Sequence, residues 1–142
     1  MKLSPKFYEW FGNSVLVNED RTPRLVYHGT SSEFSRFKLS SSTQGIIWFT
    51  SSLEKVLAKD VGAQSSGRVV KAYVRLENPA GWKEYDDLML DQIRQQGFDG
   101  VILDFDGGFD LFVFSPEQIK IVSNEAIEED ERRKAWNPSP KR

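Results

Sequence analysis

Leu25-Val26-Tyr27-His28-Gly29-Thr30 is the stretch on which the fold turns. Two apolar residues and a tyrosine read as a buried strand, which stops at the only histidine of the chain. Gly29 and Thr30 suit a turn in which backbone must come close to something. A histidine at the carboxyl end of a strand is either a core residue with both ring nitrogens satisfied or a cleft residue poised for proton and hydrogen-bond chemistry. As a cleft residue it is expected to be exposed enough for its removal to leave no core cavity.

Working downstream, Gly45 to Thr50 reads as a second buried strand. Ser51-Ser52-Leu53-Glu54 follows as a capping box, with Leu53, Val56 and Leu57 as the apolar face of a short helix. The polar stretch Ser31–Gln44, with Phe34 and Phe37 as anchors, and the break Val61–Gly67 are expected to be the most mobile parts of the fold. Val69 to Leu76 alternates as a third strand and ends before Asn78-Pro79. The spacing of Tyr85, Met89 and Ile93 predicts one helix over Glu84–Gln96, closed by Gly97. Phe98–Leu103 and Asp110–Phe114 form a hairpin around Asp104–Gly108, and Ile119–Val122 is a last strand after the Ser115-Pro116 break. Upstream, Ser4-Pro5 opens a helix carrying Phe7, Trp10 and Phe11 that ends at Gly12, and Val15–Val17 reads as a short strand. Unevenly spaced strands with helices between them predict an α+β fold. Residues 1–124 form the domain, and 125–142 a charged tail, helical and then disordered.

Composition narrows the chemistry. The chain has 142 residues, enough for one core, with 39% hydrophobic and 28% charged residues. It has no cysteine and one histidine, which removes thiolate nucleophiles and makes a zinc site improbable. A net charge of −2 advertises no nucleic-acid field, and no apolar run approaches membrane-spanning length. The opening MKLSPKFYEW lacks the apolar core of a signal peptide, so a cytoplasmic monomer is expected.

YHGT ending one strand, GIIWFTSS on the next, then FDGVI and LFVFSPEQIKIV, together resemble the ADP-ribosyltransferase family. The likeness is to its diphtheria-toxin and poly(ADP-ribose) polymerase branch, and more closely to the small transferase domains of phage head and polyvalent proteins. It covers residues 7 to 124. It implies a single α+β domain with two small, mostly antiparallel sheets around an NAD cleft and short flanking helices.

The resemblance implies a histidine, an aromatic and an acid on three strands. His28 would bond a ribose hydroxyl of NAD, the Gly29 backbone would hold the nicotinamide carboxamide, and Trp48 would stack on the nicotinamide ring in place of a tyrosine. Counting back from Gln118 puts Asp110 where the family has its catalytic glutamate, one methylene shorter and so with about 1.5 Å less reach. That carboxylate would stabilise the oxocarbenium-like sugar as nicotinamide departs. Asp110, Phe112 and Phe114 share one face of their strand, and Asp106 and Glu117 are the substitutes under a slipped register. NAD contacts are expected from Tyr27, His28, Gly29, Thr30, Trp48, Phe49 and Ser51, with catalysis by His28, Trp48 and Asp110. Plainer roles stay open: Gly29 as a turn glycine, Trp48 as a core aromatic, Asp110 as a hairpin residue.

Two departures stand out. The region where the family places a second aromatic reads Val56-Leu57-Ala58-Lys59-Asp60, and Gly108 occupies the position of the second acid of arginine-modifying members. The expected function is NAD-dependent mono-ADP-ribosylation of a protein or nucleic-acid acceptor, toxin-like, in phage–host conflict, with NAD as substrate and no metal. An NAD glycohydrolase and an inactive NAD- or partner-binding relative are the alternatives.

Overall fold

A computed structural model describes residues 3–30, 37, 45–57 and 67–126. The predicted mobile stretches therefore lie outside the described residues apart from Phe37 and Gly67, as does the predicted helix and disorder of the tail beyond Ala126. Helix α1 (Pro5–Phe11) forms as its sequence predicts: the Ser4 hydroxyl accepts from the Phe7 amide at 3.1 Å, and proline opens the first turn. Phe7 and Phe11 face inward.

Strands β1 (Val26–Thr30), β2 (Ile47–Thr50), β3 (Arg68–Val74), β4 (Pro79–Ala80), β5 (Gly100–Phe105), β6 (Gly108–Val113) and β7 (Ile119–Ala126) build one sheet in the order β4-β5-β6-β2-β1-β3-β7. All neighbours are antiparallel except β4 and β5. The fold is thus α+β as expected, but with one mixed sheet instead of two. The two expected sheets survive as its halves, because β1 and β2 share a single ladder pair, Tyr27↔Thr50.

Alternation along β2 and β6 loads both faces of the sheet. Ile47, Phe49, Leu111 and Val113 join Val26, Val70 and Val74 in one core; Ile46, Phe112 and, at its edge, Trp48 join Val101, Leu103 and Ile93 in the other. Burying a side chain such as Phe49 or Phe112 contributes roughly 2–3 kcal/mol. The end of β6 is clamped by Gln118, in the 3₁₀ turn Pro116–Gln118. Its buried amide accepts from the Phe114 and Ser115 amides at 3.2 and 3.1 Å and donates to the Arg75 and Asp99 carbonyls at 3.0 and 2.9 Å. Every hydrogen-bonding position of that side chain is used, so the SPEQIK segment fixes where β6 stops.

Three elements differ from expectation. Val15–Val17 makes only an isolated bridge, Val17↔Pro23. The helix predicted over Glu84–Gln96 is two: α3 (Trp82–Asp87) and α4 (Leu90–Gln95). Each has its own start signal, Glu84 accepting from the Gly81 amide at 2.9 Å and Gln92 from the Met89 amide at 2.8 Å. Met89, read as an inward residue, is 70% exposed at the break. Finally, α2 (Leu53–Leu57) is capped by Ser52 rather than Ser51, the Ser52 hydroxyl accepting from the Lys55 amide at 3.3 Å.

Candidate active site

The seam between β1 and β2 is filled by His28. Its Nδ1–H donates to the Trp48 carbonyl at 2.7 Å, since a carbonyl can only accept. The ring meets Phe37 edge-on at 5.0 Å and leans on Phe49 at 5.6 Å. Burial in this aromatic setting pushes the His28 pKa below its ordinary 6.5, and the Trp48 carbonyl opposes this only partly. The imidazole is therefore neutral near pH 7, with Nε2 as an acceptor that has no partner among the described residues. The packing also corrects the expectation of an exposed ring: His28 belongs to a core wall on one side and offers Nε2 on the other.

Trp48 and Asp110 share the opposite face of β2 and β6. The register pairs Trp48 with Phe112 and Thr50 with Asp110, and directly paired residues point the same way. The two side chains therefore stand roughly 7 Å apart along the strand direction. The Trp48 ring lies edge-on to Phe112 at 4.8 Å, on the sheet face away from Phe49 and the His28 ring. The structure thus brings Trp48 and Asp110 onto one surface and ties His28 to them through the Trp48 backbone. Phe49, expected among the NAD contacts, is fully buried and backs His28 instead. The strand does not stop at His28 as expected: β1 runs on through Gly29 and Thr30, paired with Val69 and Arg68. Gly29 is thus a buried strand residue and not a turn glycine, and Tyr27 stands opposite Thr50.

The hairpin that carries Asp110 is tight. Phe105 pairs with Gly108 around Asp106-Gly107, where Gly107 takes a φ of +89°. The acids considered as substitutes lie elsewhere: Asp106 is exposed at the turn, and Glu117 is exposed in the 3₁₀ turn with its carbonyl accepting from the Trp10 indole at 2.9 Å. Ser51 locks the hairpin to β2, its amide donating to the Phe109 carbonyl at 2.9 Å and its hydroxyl oxygen accepting from the Phe109 amide at 2.9 Å. A Cβ on Gly108 would stand 2.6 Å from that hydroxyl and 3.3 Å from the Phe105 ring. No side chain fits there while Ser51 holds its bond. Gly108→Ala is accordingly expected to cost about 1–3 kcal/mol of stability in chemical denaturation, because Ser51 must turn away and leave the Phe109 amide unpaired.

Sequence reading missed Lys55. Its Nζ pairs with Asp110 at 3.3 Å to one carboxylate oxygen and 3.5 Å to the other, and sits 4.0 Å over the Phe105 ring. A lysine in a five-residue helix reads as a solvated polar position. Only the Thr50↔Asp110 register, with α2 following directly on Thr50, would have pointed to it. Among the described residues no cluster of three or more histidine, cysteine or acidic side chains could hold a metal, and no helix is long and apolar enough to cross a membrane.

Residues 18–88, half of the chain, match the family ART-PolyVal, described as ADP-ribosyltransferase in polyvalent proteins, and the chain belongs to that family. Its class is thereby that of the ADP-ribosyltransferases, which use NAD as substrate. A chain of the M. tuberculosis MbcT–MbcA toxin–antitoxin complex is similar in structure, at 12% identity over 80% of this chain and 89% of that one, with a TM-score of 0.48. No curated protein matches.

Proposed function

We propose that the chain is a cytoplasmic mono-ADP-ribosyltransferase that takes NAD as donor and modifies a protein or nucleic-acid acceptor. Its setting is phage–host conflict, on the resemblance to domains of phage head and polyvalent proteins. The observation that carries the reading is the His28 tautomer: with Nδ1–H committed to Trp48, Nε2, unpartnered among the described residues, is an acceptor matched to a ribose hydroxyl. NAD crosses the open end of the β1–β2 seam, where the strands share a single ladder pair. His28 and the Gly29 backbone, which holds the carboxamide, meet it from one face of the sheet, and Trp48, under the nicotinamide ring, from the other. Asp110 faces the sugar as the bond from its anomeric carbon to nicotinamide breaks. The electron pair leaves with nicotinamide, the acceptor's nucleophile bonds to the same carbon, and the acceptor releases a proton to solvent. The carboxylate opposes the positive charge that grows on the sugar, which is where a preorganised group acts most strongly.

A second reading, an inactive relative that binds NAD or a partner, draws on the Trp48 ring resting against Phe112 and on the Asp110 carboxylate already paired with Lys55. Incubation with NAD separates the readings. Nicotinamide release that depends on added cell extract is the expected result. Release without acceptor makes the chain a glycohydrolase, and no release makes it a binding module.

A further inference from the structure

We propose that Lys55 is a positioning residue that holds the Asp110 carboxylate in its working orientation, a role that rests on the NAD-dependent reading above. Among the described residues the Asp110 carboxylate has no hydrogen-bond partner besides Lys55. An aspartate standing where the family has a glutamate is short, and a short side chain that must reach a substrate gains from being held at one angle. Lys55 supplies that hold and is itself held. Its ammonium rests on the Phe105 ring at 4.0 Å, and Phe105 closes the same hairpin that bears Asp110. Helix, ring and carboxylate thus form one triangle across α2, β5 and β6.

The geometry of the pair fits positioning rather than neutralisation. Its two contacts of 3.3 and 3.5 Å straddle both carboxylate oxygens, where a full charge-assisted hydrogen bond would measure about 2.7–2.9 Å to one of them. Both side chains keep some access to solvent, at 28% and 22% exposure, so the carboxylate remains reachable. A loose, forked ion pair leaves lone pairs on Asp110 for a ribose hydroxyl while restricting its rotation. The lysine itself contacts no reacting atom in this role.

The test measures nicotinamide release from NAD by the full chain in the presence of cell extract. Lys55→Met is expected to lower kcat by about 10–100-fold with KM for NAD nearly unchanged, the scale of a misplaced group. Lys55→Arg is expected to recover most of the loss, because guanidinium can fork onto both oxygens. In an Asp110→Asn background Lys55→Met is expected to add no further loss, since a positioning residue has nothing left to position. A purely structural role would multiply the losses and lower the melting midpoint, and that outcome overturns the proposal, as does an unchanged kcat in Lys55→Met. If Lys55→Met does not fold, Lys55→Gln carries the same comparison. A wild type that turns over NAD while Lys55→Met keeps pace overturns this role alone; a wild type that never releases nicotinamide overturns the transferase reading and this role with it.

Discussion

Replacing Asp110 by asparagine is expected to lower kcat for nicotinamide release by about 10²–10³, or roughly 2.7–4 kcal/mol in the barrier. The substitution keeps the shape of the side chain and removes its charge, so NAD binding should change far less: the interaction is strongest only when the sugar becomes cationic. The site adds a structural reason for a clean result. Asparagine can still sit opposite Thr50 in the ladder and near Lys55, so the hairpin has no cause to move. Asp110→Glu should retain activity or raise it, because it restores the reach of the family's residue. Single-turnover measurements at saturating NAD read both variants. Unchanged turnover in Asp110→Asn would transfer the role to another acid. Asp106 at the hairpin turn would then be tested next, ahead of Glu117 in the 3₁₀ turn.

The parts of the fold that local chemistry dictates are legible in the sequence. The Ser4-Pro5 start of α1 and the Asp106-Gly107 turn each rest on residues whose dihedrals or capping oxygens leave few choices. The alternation that sets Asp110 and Phe112 on one face is legible for the same reason. What escapes is decided between segments. The division of α3 from α4 depends on Gln92 reaching the Met89 amide, which competes successfully with a helical period that runs straight through. The joining of two half-sheets into one depends on the single pair Tyr27↔Thr50, for which no sequence signal exists. Of the candidate site, His28, Trp48 and Asp110 stand out by residue type and order. Lys55 does not, because only the register brings α2 onto the hairpin, and the fate of Phe49 as a buried wall follows from the same strand parity that turns Trp48 to the opposite face of the sheet.

His28 combines a half-buried ring with an acceptor nitrogen that has no partner among the described residues, so its replacement is expected to show in two measurements with opposite demands. Removing the ring in His28→Ala leaves space beside Phe37 and Phe49 and should cost about 2 kcal/mol of stability, while nicotinamide release is lost. His28→Gln fills more of that space and can still donate to the Trp48 carbonyl, but its rotatable amide does not hold its acceptor oxygen fixed where the ring held Nε2. It is expected to fold close to wild type and still lose NAD turnover. The pH dependence of stability identifies the same residue independently. The folded-state pKa of His28 lies below its ordinary 6.5, so the unfolded chain takes up a proton that the folded chain refuses. The contribution is flat above that value, and stability falls as pH drops from there toward the folded-state pKa. In the glutamine variant this segment of the stability curve should flatten, since the carboxylates that titrate lower down are untouched. Urea denaturation across this range, on wild type and His28→Gln, reads the difference. A wild-type curve with no slope there would mean that the imidazole charges freely in the fold, and an imidazolium Nε2 could not accept a ribose hydroxyl.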